Sequence, residues 1–272
     1  MEPKISIITV NFNNKLGLAY TINSVLNQTY KNFEFIIIDG GSTDGSKDII
    51  DLYQEKITYS VSETDNGVYS AMNKGIKIAK GEFLLFLNSG DLLANATVLE
   101  NVENQLNCSF GIIYGDANYL ETKNNIIRNY PDELSFNFFL KHNLSHQSTF
   151  IRRSLFNEFF FYNEDYKIVS DWEFFIYTIC IENVSYKHIN LVICNYDTTG
   201  VSSILTNHKL MHGEREQVLQ KYFPLFIKDY EKIDELSSKR ANQFFHIKKY
   251  NFAYKILKGM MSFILLFLPK EK

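Results

Sequence analysis

The first 115 residues switch repeatedly between short β-branched runs and segments with helical spacing, and no other feature narrows the possible folds as much. Ile5 to Val10, Phe33 to Ile38, Thr58 to Val61 and Phe83 to Leu87 read as strands. Between them Leu16, Ala19, Tyr20, Asn23, Leu26 and Asn27 recur at helical intervals, as do Val68, Ala71, Met72, Ile76 and Ala79. Strand and helix in alternation imply right-handed βαβ units: an α/β fold with a mostly parallel sheet flanked by helices. Ser6 to Val10 and Phe33 to Ile38 barely alternate in polarity, as strands covered on both faces do. Beyond residue 115 the pattern loosens, with a helix expected over Asp171 to Ile181 and a strand over Asn190 to Asn195.

In an open α/β sheet, ligands sit beyond the carboxyl ends of the strands. Those ends are unusually polar here. The first closes in Thr9-Val10-Asn11-Phe12-Asn13 and the second in Asp39-Gly40-Gly41-Ser42-Thr43-Asp44-Gly45-Ser46. The third closes in Ser62-Glu63-Thr64-Asp65-Asn66-Gly67 and the fourth in Asn88-Ser89-Gly90-Asp91. Gly40 to Lys47 has the glycine spacing of a Walker loop, but Ser46 stands where the phosphate-binding lysine belongs. No G-x-G-x-x-G follows any strand either. The residues leave a nucleotide held without a P-loop. Taken singly, Asp39 and Asp44 could equally be turn formers, Asp91 turn chemistry after Gly90, and Asp171 a first-turn acid.

Together, however, these segments resemble the inverting glycosyltransferases of family 2, which have the GT-A fold. The resemblance spans about residues 4 to 200. Besides the strand tips it rests on Asp65-Asn66-Gly67-Val68-Tyr69-Ser70-Ala71-Met72-Asn73-Lys74-Gly75, on His146-Gln147 and on Ser170-Asp171-Trp172-Glu173, all in the family's order. Within the family the pattern looks most like bacterial enzymes that build O-antigen, capsule or exopolysaccharide units. The resemblance implies a UDP-sugar donor, with Thr9, Val10 and Phe12 along the uridine and Asp39 accepting from the uracil imide. Asp65, Asn73, Lys74, Asn88 and Ser89 would face the nucleotide-sugar. Asp91 would hold Mn²⁺ or Mg²⁺, ions that take one or two protein carboxylates when a pyrophosphate supplies other oxygens. The family's D-x-D is thinned here: Asn88 replaces the first aspartate and Gly90 the internal one.

By the same resemblance Asp171 is the general base for in-line attack by an acceptor hydroxyl, and His146, Gln147 and Trp172 lie on the acceptor side. Ser170 and Glu173 make an S-x-x-E capping box that would put Asp171 in the first turn of a helix. The implied reaction moves a hexose or N-acetylhexosamine to a polyprenyl-diphosphate-linked glycan. Two other functions fit a similar sheet: a nucleotidyltransferase making a nucleotide-sugar, and a non-catalytic membrane-associated assembly partner.

Charge and cysteine usage bound the setting. With 28 basic and 31 acidic residues the net charge is −3, which leaves no global positive field for nucleic acid. Cys108, Cys180 and Cys194 form no metal-ligand spacing, and an odd count argues against a disulfide framework. We read them as buried small hydrophobes in a cytoplasmic protein without a secretory leader. The overall charge hides a basic tail, in which eight Lys and Arg after residue 238 face only Glu271. There Ile247, Tyr250, Tyr254, Leu257, Met261, Ile264 and Leu268 recur at steps of three and four, an apolar stripe with lysines beside it. The expected organisation is a catalytic domain over 1–205, a helical extension over 206–238 broken at Pro224, and a basic amphipathic helix over 239–272. That helix is suited to the membrane interface at the cytoplasmic face of the inner membrane, or to packing on protein. Oligomeric state is not legible.

Overall fold

The structure is a computed structural model that describes residues 3–107, 109–120, 125–200, 204–236 and 238–269. Cys108 and the terminal Lys270, Glu271 and Lys272 lie outside them. The elements run β1 (Ile5–Asn11), α1 (Lys15–Leu26), β2 (Phe33–Asp39), α2 (Ser46–Leu52), β3 (Tyr59–Ser62), α3 (Val68–Ile78) and β4 (Phe83–Phe86). There follow β5 (Leu92–Leu93), α4 (Val98–Glu103), β6 (Ile112–Leu120), β7 (Asn125–Arg128), α5 (Phe136–Lys141), β8 (Thr149–Arg152), α6 (Ser154–Glu158), α7 (Ser170–Cys180) and β9 (Tyr186–Asp197). Four helices close the chain: α8 (His208–Tyr222), α9 (Ile227–Leu236), α10 (Lys239–Lys248) and α11 (Asn251–Leu265).

One sheet in the order β3-β2-β1-β4-β8-β6-β9-β5 organises the body, with β7 pairing β6. β3, β2, β1 and β4 are parallel. From β8 onward the sheet is mixed: β8 is antiparallel to β4 and β6, while β9 runs parallel to β6 and antiparallel to β5. All seven residues of β1 are buried, which the unbroken apolar run requires of a strand sandwiched between helices. At the opposite end from the ligand side, buried Glu34 accepts from Ser6 Oγ and from the amides of Lys80 and Gly81, closing the turn between α3 and β4.

Two helices correct the sequence reading. On α1 the expected apolar face is the wet one, with Leu16 70% and Tyr20 62% exposed. The buried stripe is Leu18, Thr21, Ile22 and Val25, a second set at helical spacing. Thr21 could be buried because its hydroxyl donates to Gly17 O and Asp91 O. The capping box at α7 also fails to form. Val169 is the N-cap and makes no side-chain cap, while Ser170 Oγ accepts from Asn163 N. Just ahead of that helix, the Lys167 and Ile168 amides donate to the Glu214 carboxylate of α8 instead.

The chain divides into two compact units, Met1–Val218 and Leu219–Lys272. A boundary at 205 therefore leaves out Glu214 and Val218, which are buried residues of the first unit. In the second unit the basic tail is two helices, not one. Tyr250 has extended backbone (φ −112°, ψ 103°) between α10 and α11, and Phe244 meets Tyr254 with ring centroids 6.2 Å apart. No helix among the described residues is long and apolar enough to cross a membrane.

Candidate active site

The tips of β1, β2 and β4 meet through hydrogen bonds. Asn11, last in β1, donates from Nδ2 to Asp39 Oδ1 at 2.7 Å. Asp39 also accepts from Ser42 N, Ser42 Oγ and Ser62 Oγ. Burial would raise its pKa, but these donors win and hold the carboxyl below its usual value. Phe12 projects just beyond, 67% exposed. Between them Gly40 lets two chains approach: a Cβ there would lie 2.9 Å from Asp65 Oδ2 and 3.3 Å from the Phe12 ring. Asp39, Phe12 and Asp65 thus border one small floor of bare backbone. Thr9 and Val10 are buried beneath it, Thr9 donating to Leu87 O.

Backbone bonds carry the rim on to the fourth strand tip. Ser89 N donates to Val10 O, and Asn14 Nδ2 donates to Ser89 O. Thr21 of α1 grips the same loop, donating to Asp91 O at 2.8 Å and accepting from Gly90 N at 3.0 Å. Gly90 has φ +105°, and a Cβ on it would lie 2.5 Å from Asp197 Oδ2. Only glycine satisfies both the left-handed backbone and that approach. Asp197, the last residue of β9, donates its amide to Asp91 Oδ1, while Gln147 Nε2 donates to Asp91 Oδ2. Asp91 is buried, and burial pushes its carboxyl up to about 6 despite those two donors.

From Asn88 the rim reaches the start of α7. Asn88 Nδ2 lies 3.2 Å from His146 Nε2, and His146 Nδ1 lies 3.0 Å from Asp171 Oδ2. Asp171 accepts four donors in all: His146 and Asn143 Nδ2 on one oxygen, Trp172 N and the Tyr69 hydroxyl on the other. Although burial would raise it, this donor set keeps Asp171 below its usual carboxylate pKa. An ionised Asp171 fixes the His146 proton on Nδ1, so Nε2 accepts from Asn88. Among the described residues, the buried side-chain atoms without a hydrogen-bond partner include Asn11 Oδ1, Asn88 Oδ1, Asn143 Oδ1, Tyr162 Oη and Arg215 Nε. Each such orphan costs about 1–3 kcal/mol in a dry site. Asn88 and Asn143 both touch this chain, and their orphaned oxygens mark where a ligand's polar groups would go.

The remaining residues read from sequence divide. Gln147 braces Asp91, donating from Nε2 to its Oδ2. Trp172 is buried, with its indole N–H donated to Phe139 O. Asn73 turns away from the rim: its amide donates to Tyr162 O and Glu164 Oε1 and accepts from Tyr162 N. It is a brace for the loop before α7, engaged by the protein's own groups. Lys74 pairs with Glu63 at 2.8 Å at the end of β3. Asp44 is a turn former, accepting from Lys15 N, Ser46 N and Ser46 Oγ. Cys194 is buried but Cys180 only partly so. Sequence reading missed Thr21, whose role depends on a helix packing on a distant loop. It also missed Asp197, which the β5–β9 pairing brings to Asp91.

Solved structures share this architecture. S. aureus TarS superposes with a TM-score of 0.60 at 20% identity, covering 71% of this chain and 36% of its own. The chain thus spans about a third of TarS. The mannosyltransferase PcManGT from Pyrobaculum calidifontis, solved with GDP-Man and Mn²⁺, superposes with a TM-score of 0.58 at 12% identity, over 94% of this chain and 87% of its own. The fold is that of GT-A glycosyltransferases. A "PGL/p-HBAD biosynthesis glycosyltransferase" of Mycobacterium bovis (strain BCG / Pasteur 1173P2) is 32% identical over 204 residues, 73% of this chain and 78% of its own. The profile of "Glycosyl transferase family 2" matches residues 6–160, and the chain belongs to that family.

Proposed function

We propose that the protein is an inverting, metal-assisted transferase that moves a hexose or N-acetylhexosamine from UDP to a hydroxyl of a lipid-linked glycan in surface polysaccharide or glycolipid assembly. The carrying observation is the continuous hydrogen-bonded rim from Asp39 through Asn11, the Asn88–Asp91 loop and His146 to Asp171. A donor, a departing diphosphate and an acceptor need such a series of sites in one line. TarS 1-349 has been solved with UDP-GlcNAc, which supports a UDP donor. The M. bovis relative's name supports a glycolipid acceptor.

At the nucleotide end the exposed Phe12 ring offers a stacking face and Asp39 an acceptor-only carboxylate for the uracil imide. That carboxylate is already ringed by Ser42 and Ser62, whose hydroxyls can turn to release a lone pair. Asp91 fits a divalent cation in combination with two neighbours: Asp197 lies against Gly90, and the orphaned Asn88 Oδ1 offers a further hard oxygen. Among the described residues no three His, Cys, Asp or Glu side chains converge into a ready-made cage. An ion here would be shared with a pyrophosphate, and it would supply charge neutralisation for the departing UDP.

At the other end, the proton of the attacking hydroxyl passes to the Asp171–His146 pair as the acceptor oxygen bonds to the anomeric carbon and the bond to UDP breaks. Asp171 supplies the negative charge, and His146 is held in register by Asn88. The tail makes peripheral contact with a membrane: in the second unit Phe252, Ile256, Met260, Phe263 and Phe267 form an exposed stripe along and just past α11, with Lys255 and Lys258 exposed beside it. A helix of 15 residues is about 22 Å long, short of the roughly 30 Å hydrocarbon core, so it lies in the interface. A thermal-shift panel of nucleotide-sugars with and without Mn²⁺ tests the reading. UDP-sugars plus Mn²⁺ should raise the melting temperature, whereas no response to any uridine nucleotide would end it.

A further inference from the structure

Tyr69 of α3 carries one hydroxyl proton and faces two acceptors. Its oxygen lies 2.6 Å from Ile168 O and 3.1 Å from Asp171 Oδ1, so it reaches both the main chain and the proposed base. One hydrogen can point at only one of them at a time. Burial, and then the charge of Asp171, push the phenol well above its usual pKa, so the hydroxyl keeps its proton and serves as a donor.

The heavy atoms on either side are clamped. Tyr69 is buried, with its ring centroid 5.5 Å from that of Tyr162. Asn73, one turn further along α3, holds the Tyr162 backbone by donating to its carbonyl and accepting from its amide. At the other end, the buried Glu214 carboxylate accepts from the Lys167 and Ile168 amides and so fixes the peptide whose carbonyl Tyr69 meets. Neither the ring nor the carbonyl is free to retreat, but the hydroxyl hydrogen turns without moving a heavy atom.

Asp171 needs different surroundings in its two charge states. As an ion it accepts from His146, Asn143, Trp172 N and Tyr69, which fills the roughly four lone-pair sites of a carboxylate. A neutral acid is the weaker acceptor. Once Asp171 is neutral, the peptide carbonyl at 2.6 Å becomes the better partner for the Tyr69 proton.

We propose that Tyr69 is a positioning residue for the transfer, its hydroxyl donating to Asp171 Oδ1 while that carboxylate is charged and turning to Ile168 O once a proton from the acceptor hydroxyl has neutralised it. No bond to Tyr69 breaks: its own proton stays on its oxygen, and the proton that Asp171 gains comes from the acceptor. The turn leaves the Tyr69 hydroxyl bonded in both states, so taking up the proton strands no buried donor. This deepens the transferase reading and rests on it. The other titratable or charged groups that act on Asp171, or on which it acts, are His146, Tyr162 and Arg215, and all three are kept in the comparisons that follow.

The test is carbon-13 NMR on the full chain, labelled at the isoleucine carbonyl and the aspartate carboxyl carbons. Asp171→Asn supplies a neutral side chain of the same shape at pH 7, and in it the Ile168 carbonyl should move downfield as it gains the Tyr69 proton. In a Tyr69→Phe background the same Asp171→Asn change should leave that carbonyl where it is. Tyr69→Phe alone should raise the titration midpoint of Asp171 by about one pH unit, a tenfold gain in proton affinity, because an ion has lost a donor. An Ile168 carbonyl that does not respond to Asp171→Asn overturns the switch, and this comparison needs no Tyr69 variant, so it decides even if Tyr69→Phe melts early. Equal movement with and without the Tyr69 hydroxyl overturns it too, since the signal would then travel through the backbone, and so does an unshifted Asp171 midpoint. Turnover retained in Asp171→Asn refutes the base reading instead, whatever the resonances do, and the two failures are thus told apart.

Discussion

Asp171 carries two predictions at the scale of single residues. Asp171→Asn should lower transfer by about a thousandfold while leaving UDP binding within about twofold, because general-base catalysis is worth roughly 10²–10⁴. Initial-rate and calorimetric measurements decide it, and turnover retained in the variant removes Asp171 from its role. The second concerns acid stability. Asp171 ionises more readily folded than unfolded, where a carboxylate titrates near 4, so its stabilising effect is complete above about pH 4 and fades as pH falls through the folded value. Melting temperatures of wild type and Asp171→Asn should therefore differ at pH 7 and converge below pH 4. A gap that stays constant would show that the four donors do not favour the ionised form. Asp91→Ala should weaken UDP binding in Mn²⁺ tenfold or more, with little effect in its absence; an unaltered metal titration would clear Asp91 of the assignment. Asp39, Asp91 and Asp171 were legible as polar residues just past apolar runs or in a motif. Burial in α3 turns the Asn73 amide to the Tyr162 loop, a contact that its motif position does not disclose.

At the scale of elements, local pattern found the four parallel strands, β9, and the helices α1, α3 and α7, but not β5 to β8 or the short helices α2, α4, α5 and α6, and not always the buried faces. α1 has two stripes at helical spacing, and the chosen one was more apolar in its first turn. What decides the matter is Thr21, whose hydroxyl is spent on a loop 70 positions away, information no periodicity contains. Thr21→Val should keep the helix, since the shape is nearly unchanged, but should free the Asn88–Asp91 backbone. We expect loss of about 1–2 kcal/mol by denaturant titration, with metal-dependent UDP affinity reduced together with it. Stability lost without any change in UDP affinity would mean that the contact is scaffold only. The tail shows the converse. Its stripe was legible, and Tyr250, Met261, Ile264 and Leu268 of it are exposed, but Tyr254 packs α11 on α10. Lys255→Glu with Lys258→Glu should abolish sedimentation with vesicles containing anionic lipid while leaving transfer to a water-soluble acceptor intact. Binding that persists at the same level would argue that α11 docks on protein.

For the whole molecule, the parallel half of the sheet was readable because each βαβ unit is local, whereas the mixed half was not. β6, β8 and β9 pair across long separations, and their register is set by tertiary packing. That half nonetheless delivers Asp197, Gln147 and His146 to the tips of the legible half. The division explains why motifs named His146, Gln147 and Asp171 without disclosing Asp197, which only the β5–β9 pairing brings to Asp91. One ring, His146, spans the join: it touches Asn88, beside the proposed exit of the diphosphate, and Asp171, beside the proposed arrival of the hydroxyl. The positions are therefore not free to drift separately. A change at Asn88 or at Asp171 is felt at both ends of the site through this one ring.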